Sequence, residues 1–102
     1  MAMTIREGHF QLTPEQRRFR DLLMPYPTLA RYWDWQTRCC DEAGLDAAMG
    51  VLSHGEKLMA TFFRNVWTGG DRPPLGLIEA VNTLDTEDLS VIIGWMRDPF
   101  FP

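Results

Sequence analysis

The residues with the clearest chemical potential lie at positions 53 to 56, where Ser53 and His54 are followed by Glu56. A serine nucleophile needs a histidine within hydrogen-bond reach and an acid behind it. Neighbouring residues at a helix start rarely meet that geometry, and the sequence has no Gly-x-Ser-x-Gly elbow. Serine followed three residues later by glutamate is also the pattern of a helix-capping box. We therefore predict a cap at Ser53 and Glu56 and a surface position for His54, with an enzyme site around these residues as an alternative.

Four residues could in principle bind a metal ion: His9, Cys39, Cys40 and His54. A structural zinc site needs four ligands at a spacing such as Cys-x-x-Cys, which this chain lacks. Adjacent helical residues point about 100° apart, so the two cysteines cannot readily bridge each other. We predict Cys40 as a small core residue and Cys39 as a partly exposed thiol in a reducing compartment. No glycine-rich phosphate-binding motif is present. The sequence predicts no metal and no cofactor.

Positive charge is concentrated in the first predicted helix, at Arg17, Arg18 and Arg20. These arginines are candidates for binding an anion or an acidic partner. Residues 1–38 hold six arginines and four acids, a net charge of +2, whereas residues 39–102 hold four basic and ten acidic groups, a net charge of −6. Nucleic-acid binding usually needs a dense positive surface. A nucleic-acid partner is therefore disfavoured, and a helical nucleic-acid-associated regulator that uses this helix is kept as an alternative function.

Aromatic residues are in surplus, at 12% of 102 residues and with four tryptophans. Four of them have no assured place on a predicted core face: Trp35, Trp95, Phe100 and Phe101. Exposed aromatic groups mark interaction sites. The same side chains could equally cover the ends of a small bundle, since tryptophan is rarely fully buried. These four are the candidate partner-binding residues.

The element that must position most of these residues is a helix from His54 to about Trp67. Its large apolar residues fall in pairs four apart and share one stripe: Leu58, Met59, Phe62, Phe63, Val66 and Trp67. Gly69 and Gly70 end it, because glycine readily takes the left-handed conformation of a helix end. So many large apolar residues in about four turns predict the central helix of a bundle.

Other helices are predicted around it, at about Pro14–Met24, Leu29–Glu42, Asp46–Leu52, Pro74–Leu84 and Thr86–Arg97. Thr13, Pro14 and Gln16 mark the first start, and Gly44 is the expected stop of the second. Gly50 weakens the short third helix, so one bent helix over residues 46–67 is an alternative. The last two helices are predicted to face inward through Leu77, Ile78, Val81, Leu84, Leu89, Ile92, Ile93 and Met96. We expect no sheet.

The fold class is therefore all-α, a single-domain helical bundle of four main helices plus one short helix over residues 13–102, preceded by a tail, residues 1–12. A chain of 102 residues is one domain. Its start has no apolar run that could serve as a signal peptide, and no segment approaches 18 uninterrupted apolar residues. We expect a cytoplasmic protein with no membrane partner.

The motifs predict a general class of function but no specific partner. The leading hypothesis is a small non-catalytic adaptor or regulatory protein that acts through contacts with a protein partner or through self-association, with a homodimer as one form. Its arginine-rich usage, with a single lysine at Lys57, fits many small bacterial proteins.

Overall fold

The computed structural model describes residues 11–102, which form a predominantly helical fold with one small sheet. The helices are α1 (Pro14–Leu23), α2 (Pro27–Ala30), α3 (Glu42–Ala48), α4 (His54–Thr68), α5 (Leu77–Thr83) and α6 (Thr86–Arg97). Two strands, β1 (Trp33–Asp34) and β2 (Cys39–Cys40), pair antiparallel. Within this part of the chain only α1, α4 and α6 reach ten residues. The expected count of four main helices plus one short helix is not confirmed. Of the predicted tail, only Gln11 and Leu12 lie within the described residues.

Helices α1 and α4 begin at the predicted capping residues. The Thr13 hydroxyl accepts from the Gln16 amide at 3.1 Å, and the Gln16 side-chain carbonyl accepts from the Thr13 amide at 3.0 Å. Ser53 and Glu56 form the same reciprocal pair at the start of α4. At its other end, Gly69 takes the left-handed conformation, with φ of 75°. At each start, two backbone N–H groups that lack a partner within the helix find one in the capping box. The predicted starts of α1 and α4 are therefore confirmed.

Helix α4 lies at the centre of the core, as predicted. Five of its six stripe residues are buried and the sixth, Trp67, is half-buried. Phe19 of α1 is fully buried and its ring lies 5.8 Å from that of Phe63 and 5.4 Å from that of Trp67. Tyr26 also packs on this helix, with its ring 5.4 Å from that of Phe63. The tilted and edge-to-face arrangements are those that aromatic pairs prefer.

The predicted helix from Leu29 to Glu42 is wrong, and so is the expectation of no sheet. Helix α2 ends at Ala30, and the chain then forms the β1–β2 hairpin, with Trp33 opposite Cys40. Aromatic residues fit a half-buried strand well. Trp33 is buried with its ring 5.6 Å from that of Phe19, so tertiary packing overrides the helical spacing.

The turn of this hairpin has a local cause. The Asp34 carboxylate accepts from the amides of Gln36 and Thr37, at 2.9 and 3.4 Å. Such a side-chain bond to the backbone two residues ahead competes directly with a helix. Arg38 then adopts a left-handed conformation, with φ of 55°, which reverses the chain into β2.

Helix α3 begins four residues before the predicted short helix. Its cap is Asp41, whose carboxylate accepts from the amide of Gly44 at 2.9 Å. Gly44 was expected to end the second predicted helix, but it lies in the first turn of α3. Helices α3 and α4 are separate, so the alternative of one bent helix is wrong. Arg64 of α4 joins them by donating to Glu42 at 3.0 Å and to Asp46.

Helices α5 and α6 expose much of the apolar surface that was predicted to face inward. On α5 the buried residue is Ala80, Leu84 is buried directly after that helix, and on α6 the buried residue is Ile92. Five expected core residues are instead 46% to 71% exposed: Leu77, Ile78, Val81, Ile93 and Met96. The spacing locates an apolar stripe, but it does not say how much of that stripe a neighbour covers. Leu89 of α6, which was predicted to face inward, is half-buried against the core.

No helix within residues 11–102 is both long enough and apolar enough to cross a membrane.

Candidate functional site

Ser53, His54 and Glu56 lie at the exposed start of α4, and their hydrogen bonds belong to the cap. The Ser53 hydroxyl accepts from the Glu56 amide at 3.2 Å, and the Glu56 carboxylate accepts from the Ser53 amide at 2.9 Å. The second Glu56 oxygen accepts from the Thr28 hydroxyl at 3.1 Å. These bonds hold the pKa of Glu56 below its ordinary value, the backbone bond from Ser53 most of all.

His54 does not face the serine. Its Nε2 lies 2.7 Å from a carboxylate oxygen of Glu79 on α5, and both side chains are exposed. Within residues 11–102, no hydrogen bond joins His54 to Ser53. A nucleophile and its base must be within such reach, so the geometry places Ser53 in a cap and His54 in a link between α4 and α5.

The two cysteines are free and differ in burial. Cys39 is exposed, and its thiol donates to the carbonyl of Thr37 at 3.3 Å. Cys40 is half-buried, and burial, followed by the charge of Glu42, raises its pKa to about 11. In the described part of the chain no three metal-ligating side chains come together. His9, the remaining candidate ligand, lies outside the described residues.

The three arginines of α1 do not act as one group. Arg17 donates to the carbonyl of Leu12 at 3.1 Å. Arg18 donates to both the carbonyl and the carboxylate of Asp98, and its guanidinium lies over the ring of Phe100, 4.1 Å from the centroid. Arg20 is exposed. Arg18 therefore fastens the segment after α6 to α1, and the positive surface available to an anion is smaller than the sequence suggests.

The four predicted partner-binding aromatics lie in two places. Trp35 belongs to the aromatic core, with its ring 6.1 Å from that of Phe19 and 5.9 Å from that of Trp67. The other three meet at the C-terminal end of α6. Phe100 is buried there, and Phe101 is 60% exposed, with its ring 5.7 Å from that of Trp95.

Sequence reasoning missed the exposed apolar residues of α5 and α6. We call them the α5–α6 apolar surface: Leu77, Ile78, Val81, Ile93 and Met96. Spacing of three and four residues keeps Leu77 with Val81 on one side of α5, and Ile93 with Met96 on one side of α6. The signal that could have found them is the number of apolar positions on these two short helices, which exceeds what one packed side needs.

The chain matches no family model, and neither a curated protein nor a solved structure matches it.

Proposed function

We propose that this protein is a small non-catalytic adaptor or regulatory protein that acts in the cytoplasm through contacts with other protein chains, a second copy of itself included. The observation that carries the proposal is the exposure of the α5–α6 apolar surface. Large apolar side chains scattered singly on a surface need no explanation. Here five such side chains are exposed on two consecutive short helices, and a concentration of exposed apolar side chains is a mark of interaction sites.

The energetics support a contact of useful strength. Covering a large aliphatic side chain completely contributes about 1.5 to 3 kcal/mol. The five residues are already partly covered, so an apolar partner surface over all of them contributes on the order of 5 kcal/mol. Association costs at least several kcal/mol of rigid-body freedom. This surface therefore supports a reversible complex once polar contacts at its rim are added.

The non-catalytic part of the proposal is supported by the positions of the reactive side chains. Ser53 and Glu56 bond to each other in the cap. His54 lies against Glu79, and both are exposed to solvent rather than enclosed in a pocket. Catalysis by a serine, a histidine and a carboxylate needs all three side chains together in one site from which water is excluded. The positions of Ser53, His54 and Glu56 support a non-catalytic role.

A matched pair of variants tests the proposal. In the double variant Ile78→Gln, Val81→Gln, two apolar side chains of the surface become polar without a change of charge. Val51→Gln makes the same change at an apolar residue that is 87% exposed and lies outside α5 and α6. Sedimentation velocity measures self-association, and capture from an extract of the native cell measures binding to other proteins.

We expect the wild type to self-associate or to capture a protein, the double variant to weaken that contact at least about tenfold, and Val51→Gln to leave it unchanged. A wild type that stays monomeric and captures nothing would overturn the proposal. So would a double variant that binds like the wild type.

A further inference from the structure

A groove of about 500 Å³ lies between the C-terminal half of α4, the loop that follows it and the segment after α6. Its buried floor is formed by Phe62 and Val66 of α4. Leu75 and Trp95 are half-buried walls, and Phe101, at the rim, is 60% exposed. The groove is separate from the α5–α6 apolar surface, since none of the five residues of that surface lines it.

Three aromatic rings give the groove its geometry. Trp95 stands nearly perpendicular to Phe62, with the ring centroids 5.8 Å apart, and nearly perpendicular to Phe101 at 5.7 Å. The Trp95 indole N–H donates to the carbonyl of Phe100 at 2.8 Å, so the indole ring is held in place. A fixed aromatic face is a good surface for a cation, and a guanidinium also stacks on it.

Among residues 11–102, Asp71 is the only ionisable residue that lines the groove. Within residues 11–102 its carboxylate takes part in no ion pair. The Asn65 side-chain amide donates to the carbonyl of Pro73 at 2.9 Å and so fastens the loop that carries Asp71 to α4. A carboxylate that lines the same groove as aromatic rings and forms no ion pair within these residues favours a cationic ligand.

We propose that this groove binds an arginine side chain from a basic and apolar segment of a partner protein. The guanidinium pairs with Asp71 and stacks on Trp95 or Phe101, while an apolar neighbour of that arginine covers Phe62 and Val66. The net charge of −6 over residues 39–102 attracts such a segment. This inference rests on the proposed role in protein contacts and names the chemistry of one partner.

Two short peptides serve as probes for this site. One is acetyl-Ala-Leu-Arg-Leu-Ala amide, and the other has citrulline in place of arginine, which keeps the shape and removes the charge. Binding is followed by amide NMR of the full chain, in which the indole N–H of Trp95 reports directly from the groove. Asp71→Asn removes the carboxylate. Glu15→Gln, at an exposed residue of α1, is the charge-matched control.

We expect the arginine peptide to shift the signals of Trp95, Gly69 and Gly70 and to bind about fivefold more tightly than the citrulline peptide, the size of one partly exposed ion pair. Asp71→Asn should abolish that difference, and Glu15→Gln should keep it. Phe101→Ala should weaken both peptides, because it removes the aromatic ring at the rim of the groove.

The inference is overturned if both peptides bind equally, if Asp71→Asn keeps the difference, or if neither peptide shifts these signals at millimolar concentration. The proposed function is tested independently of this inference. Its test depends on Ile78 and Val81, which do not line the groove, so failure of the peptide experiment leaves the capture experiment unaffected.

Discussion

Arg18 shows how one side chain can serve two structural purposes. Its guanidinium lies over the ring of Phe100, 4.1 Å from the centroid, and its N–H groups donate to the carbonyl and the carboxylate of Asp98. The flat face meets the aromatic ring and the edge meets the oxygens, a combination that lysine cannot reproduce. The segment after α6 is thereby held on α1, 80 residues away in the sequence.

Arg18→Ala should therefore destabilise the fold, whereas Arg20→Ala should not. An exposed cation–π contact contributes about 0.5 to 1 kcal/mol and a surface ion pair less than about 1 kcal/mol. We expect a loss of about 1 kcal/mol, or about 4 °C in melting temperature for a chain of this size. Arg20 is exposed on the same helix, so Arg20→Ala is the matched control. Equal melting curves for the two variants would show that the contact with Phe100 and Asp98 contributes nothing.

The neighbouring cysteines should differ in reactivity. The Cys39 thiol is exposed. Burial raises the pKa of Cys40 to about 11, so only a small fraction of it is thiolate at about pH 8. Iodoacetamide should add one group quickly, at Cys39, and a second slowly, at Cys40. Mass spectrometry of the digested protein measures both rates. Faster labelling of Cys40 than of Cys39 would contradict the burial of its sulfur.

At the scale of elements, the capping box of α4 is the clearest test of local sequence. Ser53→Ala removes the acceptor for the Glu56 amide and should cost about 1 kcal/mol. His54→Ala should cost less, because its bond to Glu79 joins two exposed side chains. Chemical denaturation of the two variants measures how much unfolding free energy each substitution removes. If His54→Ala proves the more damaging change, the link between α4 and α5 matters more than the cap.

The same box should respond to acid. The pKa of Glu56 is lowered in the folded chain, so its contribution is present above its ordinary pKa of 4.5 and is lost as the pH falls through the lower folded value. Glu56→Gln keeps an acceptor and removes the charge. The difference in unfolding free energy between the wild type and this variant should therefore shrink as the pH is lowered from 6 to 3. A difference that stays constant would show that the carboxylate charge contributes nothing to the cap.

These elements also show where sequence reasoning succeeds. The starts of α1 and α4 follow from residues three apart in the chain, Thr13 with Gln16 and Ser53 with Glu56. The β1–β2 hairpin follows only in part from local residues, because its turn depends on Asp34 but Trp33 packs on Phe19 of another element. Residues 29–42 do have apolar residues at helical spacing, but the packing of Trp33 on Phe19, which is distant in the sequence, favours a strand.

The candidate site was predictable only in part. The surplus of aromatics near the C-terminus led to the prediction of Trp95 and Phe101 as partner-binding residues, and both line the groove; their binding role stays a prediction. The α5–α6 apolar surface was assigned to the core, because periodicity cannot distinguish a stripe that a neighbour covers from one left open. The position of Asp71 beside these rings depends on how the loop after α4 folds back, which no local pattern encodes.

At the scale of the whole molecule, stability depends on one aromatic core. Phe63 is fully buried and contacts the rings of Phe19, Tyr26 and Phe62. Phe63→Ala should cost about 3 to 5 kcal/mol, a large share of the 5 to 15 kcal/mol typical of a domain. Phe101→Ala, which removes an exposed ring, is the control. Thermal melting measures both, and a small effect of Phe63→Ala would show that the core is centred elsewhere.

The whole molecule also leaves apolar area uncovered on one pair of helices while its core is closed. Residues 11–102 bury Ala80, Leu84 and Ile92 but expose Ile78 and Met96, so within these residues the core does not cover all of the apolar helix surface. We propose that a second protein surface covers it.

Site-specific photo-crosslinking in the native cell tests this account most directly. A photoreactive amino acid is placed at Ile78 in one variant and at Val51 in the control, since both are exposed apolar positions. We expect irradiation to give a defined covalent adduct with a protein, either a second copy of this chain or another protein, at position 78 but not at position 51. No adduct at position 78, or the same adducts at both positions, would contradict a protein-contact function of the α5–α6 apolar surface.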